Sequence, residues 1–210
     1  NYADTLYQAE RYTRSLEIYE KLRALEPENK EVLDRIEKLK NILGIVELPS
    51  QYNSIAYSEA VTREEMAALL SIKFKGIMDE VAKTPPIIID ITTSWASKFI
   101  LQMTSLAILD IYPNHTFQPK KTISRAEMAE ILVSLIEYLE KKGFKFIQQI
   151  QPNKIKIQDV SPENYYYKPI VQIISYDIMS LSFQQEFNPD FPVPGQEAIK
   201  LLDIILSLVK

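Results

Sequence analysis

The stretch from Ile89 to Leu132 reads IDITTSWASKFILQMTSLAILDIYPNHTFQPKKTISRAEMAEIL, and its reading decides the fold. It describes a helix, a long polar loop closed by Pro119, and a second helix whose start is written in the residues themselves. The Ser124 hydroxyl is placed to accept from the backbone N–H of Glu127, while the Glu127 carboxylate reaches back to the N–H of Ser124. The unit is therefore helix, loop, capped helix.

The same unit recurs. Ile100, Phe117, Pro119 and Glu127 return as Ile170, Phe187, Pro189 and Glu197, an offset of 170 − 100 = 197 − 127 = 70. Upstream, Val61-Thr62-Arg63-Glu64-Glu65-Met66-Ala67 matches Ile123-Ser124-Arg125-Ala126-Glu127-Met128-Ala129 at an offset of 127 − 65 = 62. Internal repetition of this kind sets the architecture before any local propensity does. Three related units are expected, at about 45–83, 84–142 and 154–210.

The order Asp90, Trp95-Ala96, Ile100, Phe117-x-Pro119 and Ile123-Ser124-Arg125-Ala126-Glu127 resembles the S-layer homology (SLH) domain, a family built as three tandem helix-loop-helix units in one pseudo-threefold module. The third unit keeps Asp159, Tyr165, Ile170, Phe187, Pro189 and Glu197, but has Pro194-Gly195 where the pattern has Thr/Ser-Arg. The first keeps its second half, from about Leu48 to Val81. Tyr112-Pro113-Asn114-His115 stands where the family has Gly-x-x-Asp-Gly, which alters the glycine turn that lets a ligand approach the backbone.

Composition limits the alternatives. Hydrophobic residues make up 46% of the 210 and charged residues 25%, enough to fold around a sizeable core. The net charge is 24 − 28 = −4, which argues against nucleic acid, where clustered cations must replace counterions along the phosphates. No apolar run reaches the roughly 18 residues that span a bilayer. Cysteine is absent, which removes disulfides, thiolate metal sites and cysteine nucleophiles together. The chain opens on Asn1 and reads as a processed or trimmed fragment, so a missing signal peptide carries no information.

Before the repeats, Leu6, Tyr7 and Ala9 suit the end of one helix, and Tyr12, Leu16, Tyr19, Leu22 and Leu25 form the apolar stripe of a second. Pro27 breaks the run, and Val32, Ile36, Leu39, Ile42 and Leu43 give a third helix ending at Gly44. Glu10-Arg11-Tyr12-x-x-Ser15-x-x-x-Tyr19 with Leu22, Leu25 and Pro27 resembles the end of a tetratricopeptide repeat (TPR), departing from it at Glu10 and Ser15. A generic helical hairpin reads the same residues equally simply. One repeat cannot bury its own face, so either further repeats precede Asn1 or the helices dock on the module. The third helix caps an array, or replaces the helix that Gly44 to Ala60 does not supply to the first unit.

Within the module, Val61 to Ala82 is expected to be helical, with Gly76 tolerated inside it. Ile87-Ile88-Ile89-Asp90-Ile91 and its counterpart Lys154-Ile155-Lys156-Ile157-Gln158-Asp159-Val160 are expected to be extended, with pairing between them left open. The fold class is thus all-α: a TPR-like hairpin and capping helix over 1–44, then a pseudo-threefold SLH-like module over 45–210, with short extended segments before units two and three.

The resemblance implies that grooves between units hold an acidic cell-wall glycan, and it points to Asp90, Trp95, Asn114, Arg125 and, from the first unit, Arg63. A guanidinium offers a bidentate fork to a carboxylate or pyruvate ketal, and an aromatic face supports a sugar. The same residues have structural readings: an arginine behind a cap salt-bridges a neighbour, and a lone Trp anchors a core. The third unit, with Gly195, has no such arginine. His115 is the only histidine, four glycines leave little material for a phosphate loop, and no acid, base and nucleophile assemble. A non-enzyme without metal or cofactor is expected. The family implies a bacterial cell-envelope protein that binds peptidoglycan or a wall polysaccharide while the TPR-like helices recruit protein partners. The alternative is a module that has lost glycan binding and serves as a protein-protein interaction part of an envelope assembly.

Overall fold

The computed structural model describes residues 2–43, 48–78 and 85–209, the side chain of Asn41 aside. Gly44, expected to end the third helix, and residues 79–84, expected to finish the helix begun at Val61, lie outside the described residues. Contacts divide the chain into Asn1–Leu48 and Pro49–Lys210.

The first unit holds α1 (Tyr2–Gln8), α2 (Tyr12–Leu25) and α3 (Lys30–Ile42). Most of the stripe at helical spacing turns inward, with Ala3, Leu16, Tyr19, Val32, Ile36 and Leu39 forming the core, but Leu25 and Ile42, expected on it, are exposed at the helix ends. Ser15 is fully buried and satisfied by donating its hydroxyl to the Ala3 carbonyl at 2.8 Å. Tyr19 donates to Asp4 at 2.5 Å, tying α2 to α1. The apolar face of α3 is used within this unit, against α2.

The second unit holds α4 (Ser50–Ser54), a 3₁₀ turn at Ile55–Tyr57, α5 (Arg63–Lys73), α6 (Ser97–Ser105), α7 (Arg125–Lys141), a 3₁₀ turn at Pro152–Lys154, α8 (Tyr167–Ser175) and α9 (Gly195–Leu208). The described residues are all-α, with no strand among them. Both sequence-predicted capping boxes form, at Thr62 with Glu65 and at Ser124 with Glu127. α5 is shorter than its apolar pattern: it ends at Lys73, and Gly76 lies beyond it at φ +89°, a left-handed turn that a continuing helix excludes.

Within residues 49–210 each of the three repeat units docks on the next. α5 packs on α6, α7 on α8, and α9 on α5 and the 3₁₀ turn at Ile55–Tyr57. At the centre three equivalent residues close a ring of backbone hydrogen bonds: Val61 N–H to Val193 carbonyl at 2.8 Å, Ile123 N–H to Val61 carbonyl at 2.9 Å, Val193 N–H to Ile123 carbonyl at 3.2 Å. All three side chains are buried, as are Phe74, Phe117 and Phe187 around them.

The first helix of unit one is reduced to α4 and the 3₁₀ turn, and α9 approaches it as closely as backbone permits. A Cβ on Gly195 would stand 1.7 Å from the Ile55 carbonyl oxygen. The Gly195 N–H instead donates to the Ser58 carbonyl at 2.9 Å. Gly195, the residue that breaks the repeat pattern, is what lets the third unit meet the abbreviated first.

The two β-branched runs form no strand and show no pairing with each other among the described residues; Lys154 belongs to the 3₁₀ turn and Ile155 after it is extended, at φ −79° and ψ 120°. Each bonds once to the loop of its own unit: Ile89 N–H to the His115 carbonyl at 3.0 Å, and Gln158 N–H to the Gln185 carbonyl at 2.9 Å. Isolated bridges instead join units, Thr62 with Thr122 and Ser124 with Pro192.

Candidate functional site

The grooves between units are built from the start of one second helix and the loop of the next unit. The loops are folded by an aspartate. Asp90 accepts from the N–H of Phe117 and of Gln118, both at 2.8 Å, and Asp159 accepts from Phe187 and Asn188 at 2.8 and 2.6 Å. The turns pass through left-handed residues at matching places: Ala107 and Asp177, His115 and Gln185, Gln118 and Asn188, with φ between 53° and 63°. These turns take left-handed backbone without glycine, at a local cost of about 1–2 kcal/mol per residue. Asn114 is exposed and holds the loop tip, its side-chain oxygen accepting from the Thr116 hydroxyl at 2.7 Å and the Thr116 N–H at 3.3 Å.

Arg63 crosses from α5 into the loop of unit two. Its Nε donates to the Phe117 carbonyl at 2.7 Å and Nη2 to the Asp110 carbonyl at 2.5 Å, with the guanidinium 4.4 Å from the Phe117 ring centroid and 5.2 Å from that of Tyr112. It is only 8% exposed. Arg125 repeats the arrangement from α7, with Nε to the Phe187 carbonyl at 2.9 Å, Nη2 to the Ser180 carbonyl at 3.3 Å, and Phe187 at 4.9 Å. It also pairs with Glu197 at 2.6 Å. That pair follows from Pro194: a proline cap offers neither hydroxyl nor N–H, so the third capping carboxylate has no box to complete and turns to Arg125.

Trp95 is half-buried, stacked edge-on with Phe99 at 6.3 Å, and its indole N–H donates to Glu64 at 2.9 Å. Glu64 is 2% exposed and also accepts from the Ser94 hydroxyl at 2.7 Å and from Lys120. At the Trp95 position of unit three, Tyr165 is exposed and donates to Glu130 at 2.5 Å. That bond, with the nearby Glu130 charge, pushes the phenol up to about 12.

The structure brings Arg63 and the Asp90-held loop together, with Trp95 on the same α5 side, and puts Arg125 in the next groove. A hollow of about 110 Å³ lies beside Arg63, Tyr112, Glu130 and Tyr166, and an equivalent one of about 350 Å³ beside Arg125, Ser180, Glu197 and Lys200. Adjoining the first is an open depression of about 540 Å³ lined by Lys121, Ser124, Glu127, Tyr166, Asp190 and Pro192. Sequence reasoning missed Lys121 and Glu64. Lys121 is held by Glu127 and by the Tyr112 hydroxyl at 3.0 Å, contacts that raise its pKa. Burial raises the Tyr166 phenol, helped by Glu127 and Glu130. The repeat offset aligns Tyr165 with Trp95 and so pointed to this wall; nothing local marked Glu64, whose partner lies 31 residues away.

His115 is exposed in its loop. Among the described residues no group of three or more His, Cys, Asp or Glu could hold a metal ion. No helix among them is long and apolar enough to cross a membrane.

Residues 90–129 match the S-layer homology domain family model. That span runs from the loop-folding Asp90 through α6 to the first turn of α7, so the chain carries an S-layer homology domain centred on unit two. The chain is also 27% identical over 110 residues, 52% of its length, to the surface-layer 125 kDa protein of Lysinibacillus sphaericus. It spans 8% of that relative's length. An S-layer homology domain and a surface-layer relative indicate a location at the bacterial cell envelope or surface.

Proposed function

We propose that the module of residues 49–210 attaches the protein to the bacterial cell wall by holding a wall polysaccharide in the grooves between its units. The observation that carries the reading is the match over residues 90–129, because it contains Asp90, Trp95, Asn114 and Arg125 in one geometric unit. In this reading the site residues divide their labour. Asp90, Arg63 and Arg125 shape the groove walls, since their polar atoms already serve loop carbonyls and N–H groups. Trp95 and Asn114 flank the first groove. Sugar contact falls to groups lining the depression: the Tyr166 ring as a stacking face, and the Lys121 ammonium, which keeps one donor after bonding Glu127 and Tyr112. The protein acts as a tether and carries out no reaction, and the TPR-like helices of Asn1–Leu48 engage protein partners.

The test is co-sedimentation of the purified chain with wall sacculi, compared with sacculi stripped of their secondary polysaccharide. Wild type is expected to pellet with intact sacculi, Lys121→Ala and Tyr166→Ala to pellet less, and Arg63→Ala/Arg125→Ala to lose binding together with loop order. Absence of wild type from every pellet refutes the reading. One observation favours the protein-interaction alternative: both arginine forks are occupied by the protein itself, so neither offers a free bidentate site. A sacculus-independent complex captured from envelope extract by residues 49–210 would support it.

A further inference from the structure

The connection between units two and three has a charge and an anchoring that the wall-binding grooves do not use. From residue 141 to residue 158 there are five lysines, Lys141, Lys142, Lys145, Lys154 and Lys156, and no carboxylate. The chain outside it carries 24 − 5 = 19 basic and 28 acidic residues, a net charge of 19 − 28 = −9. The connection is therefore a locally basic stretch in an otherwise acidic chain.

The connection is held in a fixed orientation. Phe144, Phe146, Ile155 and Ile157 are partly buried against the core, with Phe146 edge-on to Tyr176 at 6.2 Å. The N–H groups of Gln149 and Ile150 both donate to the Ser175 carbonyl at the end of α8, at 2.8 and 3.0 Å. Alternation then turns the intervening side chains outward: Lys145, Ile147, Lys154 and Lys156 are all exposed, and Ile147 and Ile150 are 75% and 37% exposed. Lys168, on α8 beside Gln148 and Pro152, is exposed too. Asp177, in the hollow that Lys145 lines, is the carboxylate facing this edge from α8's end, and Glu140 and Asp159 bound the segment in sequence.

We propose that residues 141–157 form a peripheral docking surface for a bilayer rich in anionic headgroups. Lysines alone would suit any polyanion. The outward isoleucines decide for a lipid surface, because an aqueous polymer gives bare apolar side chains nothing, whereas the headgroup boundary buries them. Each lysine near an anionic surface contributes roughly a fivefold gain in partitioning.

The experiment is flotation of the full chain with phosphatidylcholine vesicles, with and without about 30% phosphatidylglycerol. Wild type is expected to float only with the anionic vesicles, and to be released near 1 M salt, where the screening length falls to about 3 Å. Lys145→Gln/Lys154→Gln/Lys156→Gln is expected to partition about a hundredfold less. Ile147→Ser is expected to weaken binding without changing its salt dependence. Circular dichroism and melting of each variant establish that it is folded, and wall sedimentation by the lysine variant should be unchanged. Failure to float with anionic vesicles overturns the proposal. Retention on immobilised poly(glycerol phosphate) without flotation also overturns it and gives the segment to a wall polymer.

Discussion

Replacing Gly195 by alanine separates two physical effects of opposite sign. Helix propensity alone favours alanine by about 1 kcal/mol. The structure opposes it: the added Cβ would meet the Ile55 carbonyl oxygen at 1.7 Å, and the obstacle is backbone, so α9 or the 3₁₀ turn must retreat. Relieving such an overlap costs about 1–3 kcal/mol. Retreat also weakens the Gly195 to Ser58 and Val61 to Val193 hydrogen bonds, each worth about 1 kcal/mol net. The balance is a loss of about 3 kcal/mol, or about 6–12 °C in melting temperature for a module of this size. Melting of the full chain followed by circular dichroism, alongside Gly76→Ala and Gly143→Ala, reads this directly. The two control glycines have open space around them but positive φ, so their cost is backbone strain alone. A melting temperature for Gly195→Ala equal to or above wild type would refute the contact between the third unit and the abbreviated first.

Further outcomes follow from the same geometry. Glu64→Ala removes the acceptor for Trp95, Ser94 and Lys120 from a buried position, costing about 2–3 kcal/mol, and the emission of the sole tryptophan should shift on loss of that bond. Asp90→Ala and Asp159→Ala each leave two backbone N–H groups without acceptors and should cost about 2–4 kcal/mol by urea denaturation. Tyr19 and Tyr165 have phenols raised from 10 to about 12, Tyr19 by burial and its bond to Asp4, Tyr165 by its bond to Glu130. Their contribution to stability is full below pH 10 and is lost as pH rises from 10 to about 12, so Tyr19→Phe and Tyr165→Phe should show smaller alkaline losses in melts across that window.

Much of this was legible because it is local or repeated. The capping boxes at Thr62 and Ser124 need only a hydroxyl and a carboxylate three residues apart, and the offset of 70 carried the first helix, the loop and Phe117 onto unit three. The β-branched runs were not legible in partner: pairing is decided by what lies alongside, and Ile89 and Gln158 each donate to the loop of their own unit instead. The end of α5 escaped because its apolar spacing continues past Lys73, while the left-handed turn at Gly76 is a backbone property. The arginines were legible as chemistry and not as geometry. Their type announces a bidentate donor, but only the fold discloses that carbonyls of Phe117, Asp110, Phe187 and Ser180 stand where an anion would. Glu64 and the close approach at Gly195 are products of tertiary contact, invisible in any short window.

The central ring of Val61, Ile123 and Val193 also determines how many units such a module can have. In a stacked array each unit presents a free face, so copies can be added at either end at little cost. Here each unit gives one hydrogen bond to one neighbour and receives one from the other, and the last donor is already matched to the first acceptor. A fourth unit has nowhere to join without breaking that circuit, and a module of two leaves a donor and an acceptor stranded in the core. Such a ring can therefore tolerate an abbreviated unit, as the first is here, but not the loss of one.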